Sequence, residues 1–171
     1  WSNLGLPLIE LANRRKIIMV SPSLGVAKFN ESSPYLFNTW PHDALLSESL
    51  AAYVYAQGRK VVALVGAEHV WVKEQTNAFK ARFEQLGGKI AYLTEPLPGT
   101  TDVRADALQI ARTPGLDAVV STSDGGNSQT FIISPPTSAC VKPNSEFSTS
   151  CNNCFAVRAV AIAAVASLSM V

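Results

Sequence analysis

The sequence predicts an α/β protein built on parallel strands joined by crossover helices. Two observations carry this. Short apolar runs alternate with longer amphipathic runs at least three times between residues 16 and 122, the pattern of a layered parallel sheet. Each short run also ends in a cluster of Gly, Pro, Ser or Asn, which marks a strand leaving the sheet into a loop.

Taken in order, Leu4–Arg15 places Leu4, Leu8, Leu11 and Ala12 at helical spacing, and Lys16–Val20 is a short apolar run read as a buried strand stopping at Ser21-Pro22. Residues 24–33 read as loop, and Tyr35–Thr39 as a short strand with Tyr35 and Phe37 in the core. Asp43 is an N-cap residue type, and the helix after it places Leu45, Leu46, Leu50, Tyr53 and Val54 on one face, ending at Gly58. Lys60–Val65 is the next strand, Gly66–Trp71 a loop, and Val72–Leu86 a helix with Phe79, Phe83 and Leu86 on one face. Its charges, Lys73, Glu74, Lys80, Arg82 and Glu84, read as a solvated face. Gly87-Gly88 stops it. Lys89–Leu93 is a strand, Pro96–Gly99 a rigid turn, Thr101-Asp102 the cap of a helix reaching Arg112, and Ala118–Thr122 a last strand before the polar turn 123–127.

Past residue 130 the periodicity stops. Residues 134–153 are rich in Pro, Ser, Thr, Asn and Cys, and Cys154–Val171 is apolar apart from Arg158 and two serines. That tail is short for a membrane span, which needs about 20 apolar residues. It reads as a buried helix, a marginal membrane anchor or sequence out of its context.

Composition narrows the function. The chain has 171 residues, 47% hydrophobic and 16% charged, with a net charge of +1. That is a globular balance without the basic patch a nucleic-acid partner requires. Position 1 is Trp and no signal peptide is visible at the start, as in a mature chain or a fragment. The three cysteines, Cys140, Cys151 and Cys154, fall in the last third. The pair Cys151–Cys154 has redox-motif spacing but lacks the strand–helix context that lowers a thiol pKa, and a zinc site would need a fourth ligand from a distant His42 or His69. A local disulfide in an exported protein is the favoured reading. Val65–Glu68 follows a strand with one glycine and no phosphate-binding lysine, which excludes a dinucleotide or Walker-type loop. No cofactor and no metal are expected.

In open parallel sheets ligands bind outside the carboxyl ends of strands. The candidate positions are therefore Ser21 and Ser23, then Glu68, His69 and Trp71, then Ser123 and Asp124. Each has a plain structural alternative. The serines flank a proline turn, Trp71 can anchor a loop, His69 reads as a solvated loop histidine, and Asp124 before Gly125-Gly126 reads first as a turn former.

The order of short motifs resembles a known family. Val20-Ser21-Pro22-Ser23 followed by Tyr35-Leu36-Phe37-Asn38-Thr39-Trp40-Pro41-His42-Asp43 looks like the "hSPSA … YvFRT.PsD" passage of type I periplasmic-binding folds. Val61–Val65, Asn77–Lys80, Leu86-Gly87-Gly88, Thr101-Asp102 and Asp117–Val120 continue in the same order. The branch is that of leucine/isoleucine/valine-binding proteins of ABC importers, with receptor ligand-binding domains as relatives, and the resemblance covers roughly residues 5–130.

That resemblance implies two three-layer, Rossmann-like lobes that close on a small ligand. It assigns residues 1–58 to the remnant of a first lobe, 60–130 to the front of a second, and 131–171 to an atypical tail, so the copy is incomplete. It carries a head-group-binding role onto Ser23, with Ser21 and Gly25, and an aromatic ligand contact onto Trp71. Where the family often has an aromatic residue before Gly-Gly this chain has Asp124, which would suit an amine or cation. The implied function is capture of an amino acid or similar small polar solute, without catalysis. It would act outside the cytoplasm, with an ABC permease or a fused receptor domain as partner and membrane attachment through the tail. The rival readings are a small α/β hydrolase using Ser23, His69 and Asp124, and a fragment needing its missing segments.

Overall fold

The computed structural model describes residues 2–122 and 162–163. Six helices and six strands lie along them: α1 Ser2–Gly5, α2 Leu8–Arg15, β1 Met19–Ser21, α3 Lys28–Glu31, β2 Leu36–Asn38, α4 Asp43–Ala56, β3 Val61–Val65, α5 Val70–Gln85, β4 Lys89–Thr94, α6 Arg104–Arg112, β5 Ala118–Ser121 and β6 Ile162–Ala163. Every strand pairing is parallel, so the expected α/β class with parallel sheets is what the chain forms.

Contact density divides the molecule into two compact units. The first comprises residues 1–58 and 68–88, the second residues 59–67 and 89–171. By this division α5 goes with the first unit.

In the first unit β1 and β2 form a two-stranded sheet with Met19 opposite Leu36 and Ser21 opposite Asn38. One face is covered: Ala12, Leu24, Phe29 and Leu36 are buried together, with Leu6, Ile9 and Met19 packed on them. No described residues cover the other, so Val20 and Phe37, which sit opposite one another, are 63% and 51% exposed. Phe37 is therefore not a core residue; period-two alternation hands that role to Leu36. The strand after α2 is also shorter than its apolar run. Lys16 closes α2 in the left-handed conformation at φ 54°, and pairing starts only at Met19. Pro7 separates α1 from α2. The buried side of α2 is Ala12 with Ile9, while Leu4, Leu8 and Leu11 are exposed.

The largest packed group of this unit lies between α4 and α5, which pack against one another. On α5 Val72, Thr76, Phe79 and Phe83 are buried, at the i, i+4, i+7, i+11 spacing of one helix face. Phe79 and Phe83 stack with centroids 5.4 Å apart, and Tyr55 of α4 meets Phe83 edge-on at 6.0 Å. The face α4 turns inward is Asp43, Ser47, Ala51 and Val54, not the expected leucine face. Leu45, Leu46 and Tyr53 are exposed. Small residues let two helix axes approach closely, and the two bulky phenylalanines on α5 already fill the space.

The second unit holds a sheet in the order β4-β3-β5-β6. Ala63 and Val65 of β3 and Ile110 of α6 are buried together, flanked by Tyr92, Leu116 and Val119. Asp117, one residue before β5, accepts the backbone N–H groups of Lys60 and Val61 at 2.8 and 2.9 Å. That carboxylate holds β3 and β5 in register. Tyr92 donates to Asp106 at 2.6 Å, and this acceptor raises the phenol to about 12. On the surface Arg104 pairs with Asp102 and lowers its carboxyl to about 2.

Candidate functional site

β1 ends at Ser21, and the chain then turns through Pro22, Ser23, Leu24 and Gly25. The turn is built by Ser21 itself. Its Oγ accepts the N–H groups of Ser23 at 3.3 Å and Leu24 at 3.1 Å, a side-chain-closed turn of the kind serine favours. Asn38, at the end of β2, ties the same turn from the neighbouring strand. Its side-chain amide donates to the carbonyl oxygen of Leu24 and to that of Trp40, and its Oδ1 accepts the Trp40 N–H. Leu24 and Gly25 are buried, and Ser23 is exposed at the tip.

Gly25 meets the start of α4. Its carbonyl accepts the Asp43 N–H at 2.8 Å. A Cβ on Gly25 would lie 2.1–2.4 Å from the Asp43 carboxylate, so only glycine fits while that carboxylate keeps its place. Asp43 differs from its expected role. His42 holds the N-cap position, and Asp43 is the first helical residue. Its carboxylate instead accepts the Gln75 amide of α5 at 3.1 Å. One residue earlier on α5, Glu74 accepts the Ala27 N–H at 3.4 Å.

Asp43 is the only charged side chain buried among the described residues. Burial pushes its carboxyl above the ordinary value of 3.8, and the nearby Glu74 charge adds to the rise; the Gln75 amide, His42 and a hydrogen bond from Trp40 oppose it. The folded state therefore binds this proton more tightly than the unfolded chain. The group's contribution to stability is full at acid pH and is lost as pH rises from the ordinary carboxylate value through the raised native one. Asp43→Asn is expected to remove that downward slope and leave the protein at least as stable at neutral pH. Urea unfolding at stepped pH from 3.5 to 7.5 checks this, and a variant whose slope matches the parent would refute it.

Trp71 lies in the first turn of α5, not in a loop, because the helix begins at Val70. Its ring is half-buried and packs edge-on against His69, centroids 5.9 Å apart. The Nδ1 of His69 is buried with no hydrogen-bond partner among the described residues. Glu68 and Lys73 form an ion pair at the same helix end. Among the described residues no three His, Cys, Asp or Glu side chains cluster as metal ligands, and no helix is long and apolar enough to cross a membrane.

Ser21, Ser23 and Gly25 thus share one turn, and Trp71 sits on the helix whose Gln75 is joined to that turn through Asp43. Asp124 and the three cysteines lie outside the described residues, as does the tail apart from β6. Sequence reasoning missed Asn38, Asp43 and Gln75 as builders of the turn. Asn38 and Asp43 lie inside the family-like motif, but Leu24 and Gln75, to which they also bond, stand 14 and 32 residues away.

Residues 1–133 match the model of a family described as periplasmic binding protein. A search of curated proteins found no match. Among solved structures, a putative branched-chain amino acid ABC transporter protein from Rhodospirillum rubrum superposes with a TM-score of 0.61 at 20% identity, covering 71% of this chain and 35% of the other. A solute-binding protein from R. palustris in complex with 4-hydroxybenzoate gives 0.70 at 22% identity, covering 76% and 35%. A substrate-binding protein from Desulfitobacterium hafniense in complex with Leu gives 0.64 at 17% identity, covering 78% and 40%. The chain therefore spans well under half the length of these structures, whose likeness shows the shared fold. With the family model matched over most of its length and parallel sheets of the same architecture, the chain belongs to the periplasmic binding proteins of the type I fold.

Proposed function

We propose that this chain is part of an extracytoplasmic solute-binding protein that captures an amino acid or a similar small polar solute, without catalysis, for an ABC permease or a fused receptor domain. The observation that supports this most directly is the built turn at the carboxyl end of β1. Ser21 closes the turn, Gly25 is packed from behind, and Ser23 is left exposed at its tip. Strand ends of parallel sheets are where such folds take their ligands. In this reading Ser21, Ser23 and Gly25 hold the charged head group, Trp71 packs the remainder, and Asp124 completes the site from the segment after β5. Leucine and 4-hydroxybenzoate, named for two of the similar structures, both carry a carboxylate, a group that serine hydroxyls can donate to.

The test is thermal unfolding of the chain against a panel of amino acids, benzoates, small amides and polyamines. A true ligand at about a hundred times its dissociation constant adds roughly 2.7 kcal/mol, a visible rise in midpoint. The rise should shrink in Ser23→Ala and Trp71→Ala. A cooperative transition that no compound moves would refute the assignment.

A further inference from the structure

Asp43 is the residue on which the parts of this region converge. Its backbone N–H holds the Gly25 carbonyl at 2.8 Å. Its carboxylate fills the space beside the Gly25 Cα. Gln75 donates to that carboxylate at 3.1 Å, and the adjacent Glu74 holds the Ala27 N–H at 3.4 Å. Gln75 stands four residues after Trp71, one turn along the same side of α5. A buried carboxylate is costly to keep, and this one does not cap its own helix. Its contacts run instead to the serine turn on one side and to the Trp71 helix on the other. The titratable groups facing it are Glu74 from α5 and His42 from the chain entering α4.

We propose that Asp43 is a positioning residue of the ligand site. Seated against Gly25 and held by Gln75, it fixes the turn 21–25 relative to the helix that carries Trp71, and this rests on the reading that those residues contact ligand. Its shape and acceptor oxygens do the holding. An asparagine keeps the shape and the one oxygen that accepts from Gln75; an alanine keeps neither. The consequence is local. Losing the side chain frees the turn while the packed Phe79–Phe83 part of α5 stays closed.

The experiment is amide hydrogen exchange by NMR on the full chain without ligand, comparing the parent with Asp43→Asn, Asp43→Ala and Gln75→Ala. The expected result is at least a tenfold fall in protection at Ser23 and Leu24 in Asp43→Ala and Gln75→Ala, parent-like protection in Asp43→Asn, and unchanged protection at Phe79 and Phe83. Parent-like protection of the turn in both Asp43→Ala and Gln75→Ala overturns the proposal. So does an equal fall across the turn and α5, which marks a global loss of stability. L-leucine and 4-hydroxybenzoate are then added to the parent, with the Ser23 amide and Trp71 indole resonances followed. Movement of both by either compound, lost in Asp43→Ala and kept in Asp43→Asn, completes the support. A turn that is locked as expected but moved by neither compound overturns Asp43 as part of a ligand site and separates that failure from failure of the lock.

Discussion

Phe83→Ala is expected to destabilise the protein by about 3–5 kcal/mol, the usual cost of removing a buried phenylalanine side chain. The ring is fully buried. It stacks on Phe79 with planes 19° apart and takes the edge of Tyr55 at 81°. It also occupies the space beside Gly88, where a Cβ would lie 2.3–2.7 Å from the ring. Three pieces of the first unit therefore meet on the Phe83 side chain: α4 through Tyr55, α5 through Phe79 and the stop at Gly88. Domains are stable by only about 5–15 kcal/mol in total, so the loss is a large fraction of the whole. Urea unfolding with a fixed slope measures it. A loss below about 1.5 kcal/mol would mean the α4–α5 interface is not packed on this ring. Phe83→Leu retains most of the apolar volume and should cost clearly less.

How legible these features were in the sequence follows from the distance over which each is determined. Strands β3, β4 and β5 were placed to within a residue or two because apolar runs bounded by Gly and Pro are local signals. The α5 face was equally plain: Phe79 and Phe83 sit four apart on one side, and no other bulky apolar pair competes. For α4 the periodicity misled. It carries apolar residues all round, and five large ones suggested a face, yet the helix buries Ser47 and Ala51. The choice between two apolar faces is made by the partner helix, which the local pattern of α4 does not contain. Lys16–Val20 misled for a related reason: the run is apolar on both sides, but only the Met19 side meets a covering layer.

The site divides along the same line. That Ser21 and Ser23 would end a strand was readable from Val20-Ser21-Pro22 and from the family's order of motifs. That Ser21 closes the turn on two N–H groups needed only neighbouring residues and was close to readable. Asp43 was misread because a carboxylate just before a helical run is usually a cap. Its partner Gln75 lies 32 residues away, and no pattern along one element could pair them. Gly25 reads, from the family resemblance, as part of the head-group turn. Its necessity comes from what stands against its Cα, not from a backbone angle reserved for glycine.

Gly25→Ala is accordingly the substitution with the second largest expected effect. The new methyl group would sit 2.1–2.4 Å from three atoms of the Asp43 carboxylate, far inside contact distance. Asp43 cannot retreat cheaply. Its N–H is bound to the carbonyl of Gly25 itself, and its carboxylate is held by Gln75. Overpacking of this kind costs about 1–3 kcal/mol, and displacing the carboxylate also breaks its hydrogen bond. A double-mutant cycle tests the cause. In an Asp43→Ala background the clash is gone, so Gly25→Ala should lose at least half its cost, a coupling within the range of about 0.5–3 kcal/mol seen for residues in contact. An equal cost in both backgrounds would show that the close approach of Gly25 and Asp43 is not what demands glycine. The same pair bears on ligand capture. If the turn works as proposed, Gly25→Ala should abolish any ligand-induced rise in melting midpoint even under conditions where the variant remains folded, because the turn that carries Ser23 can no longer sit against α4.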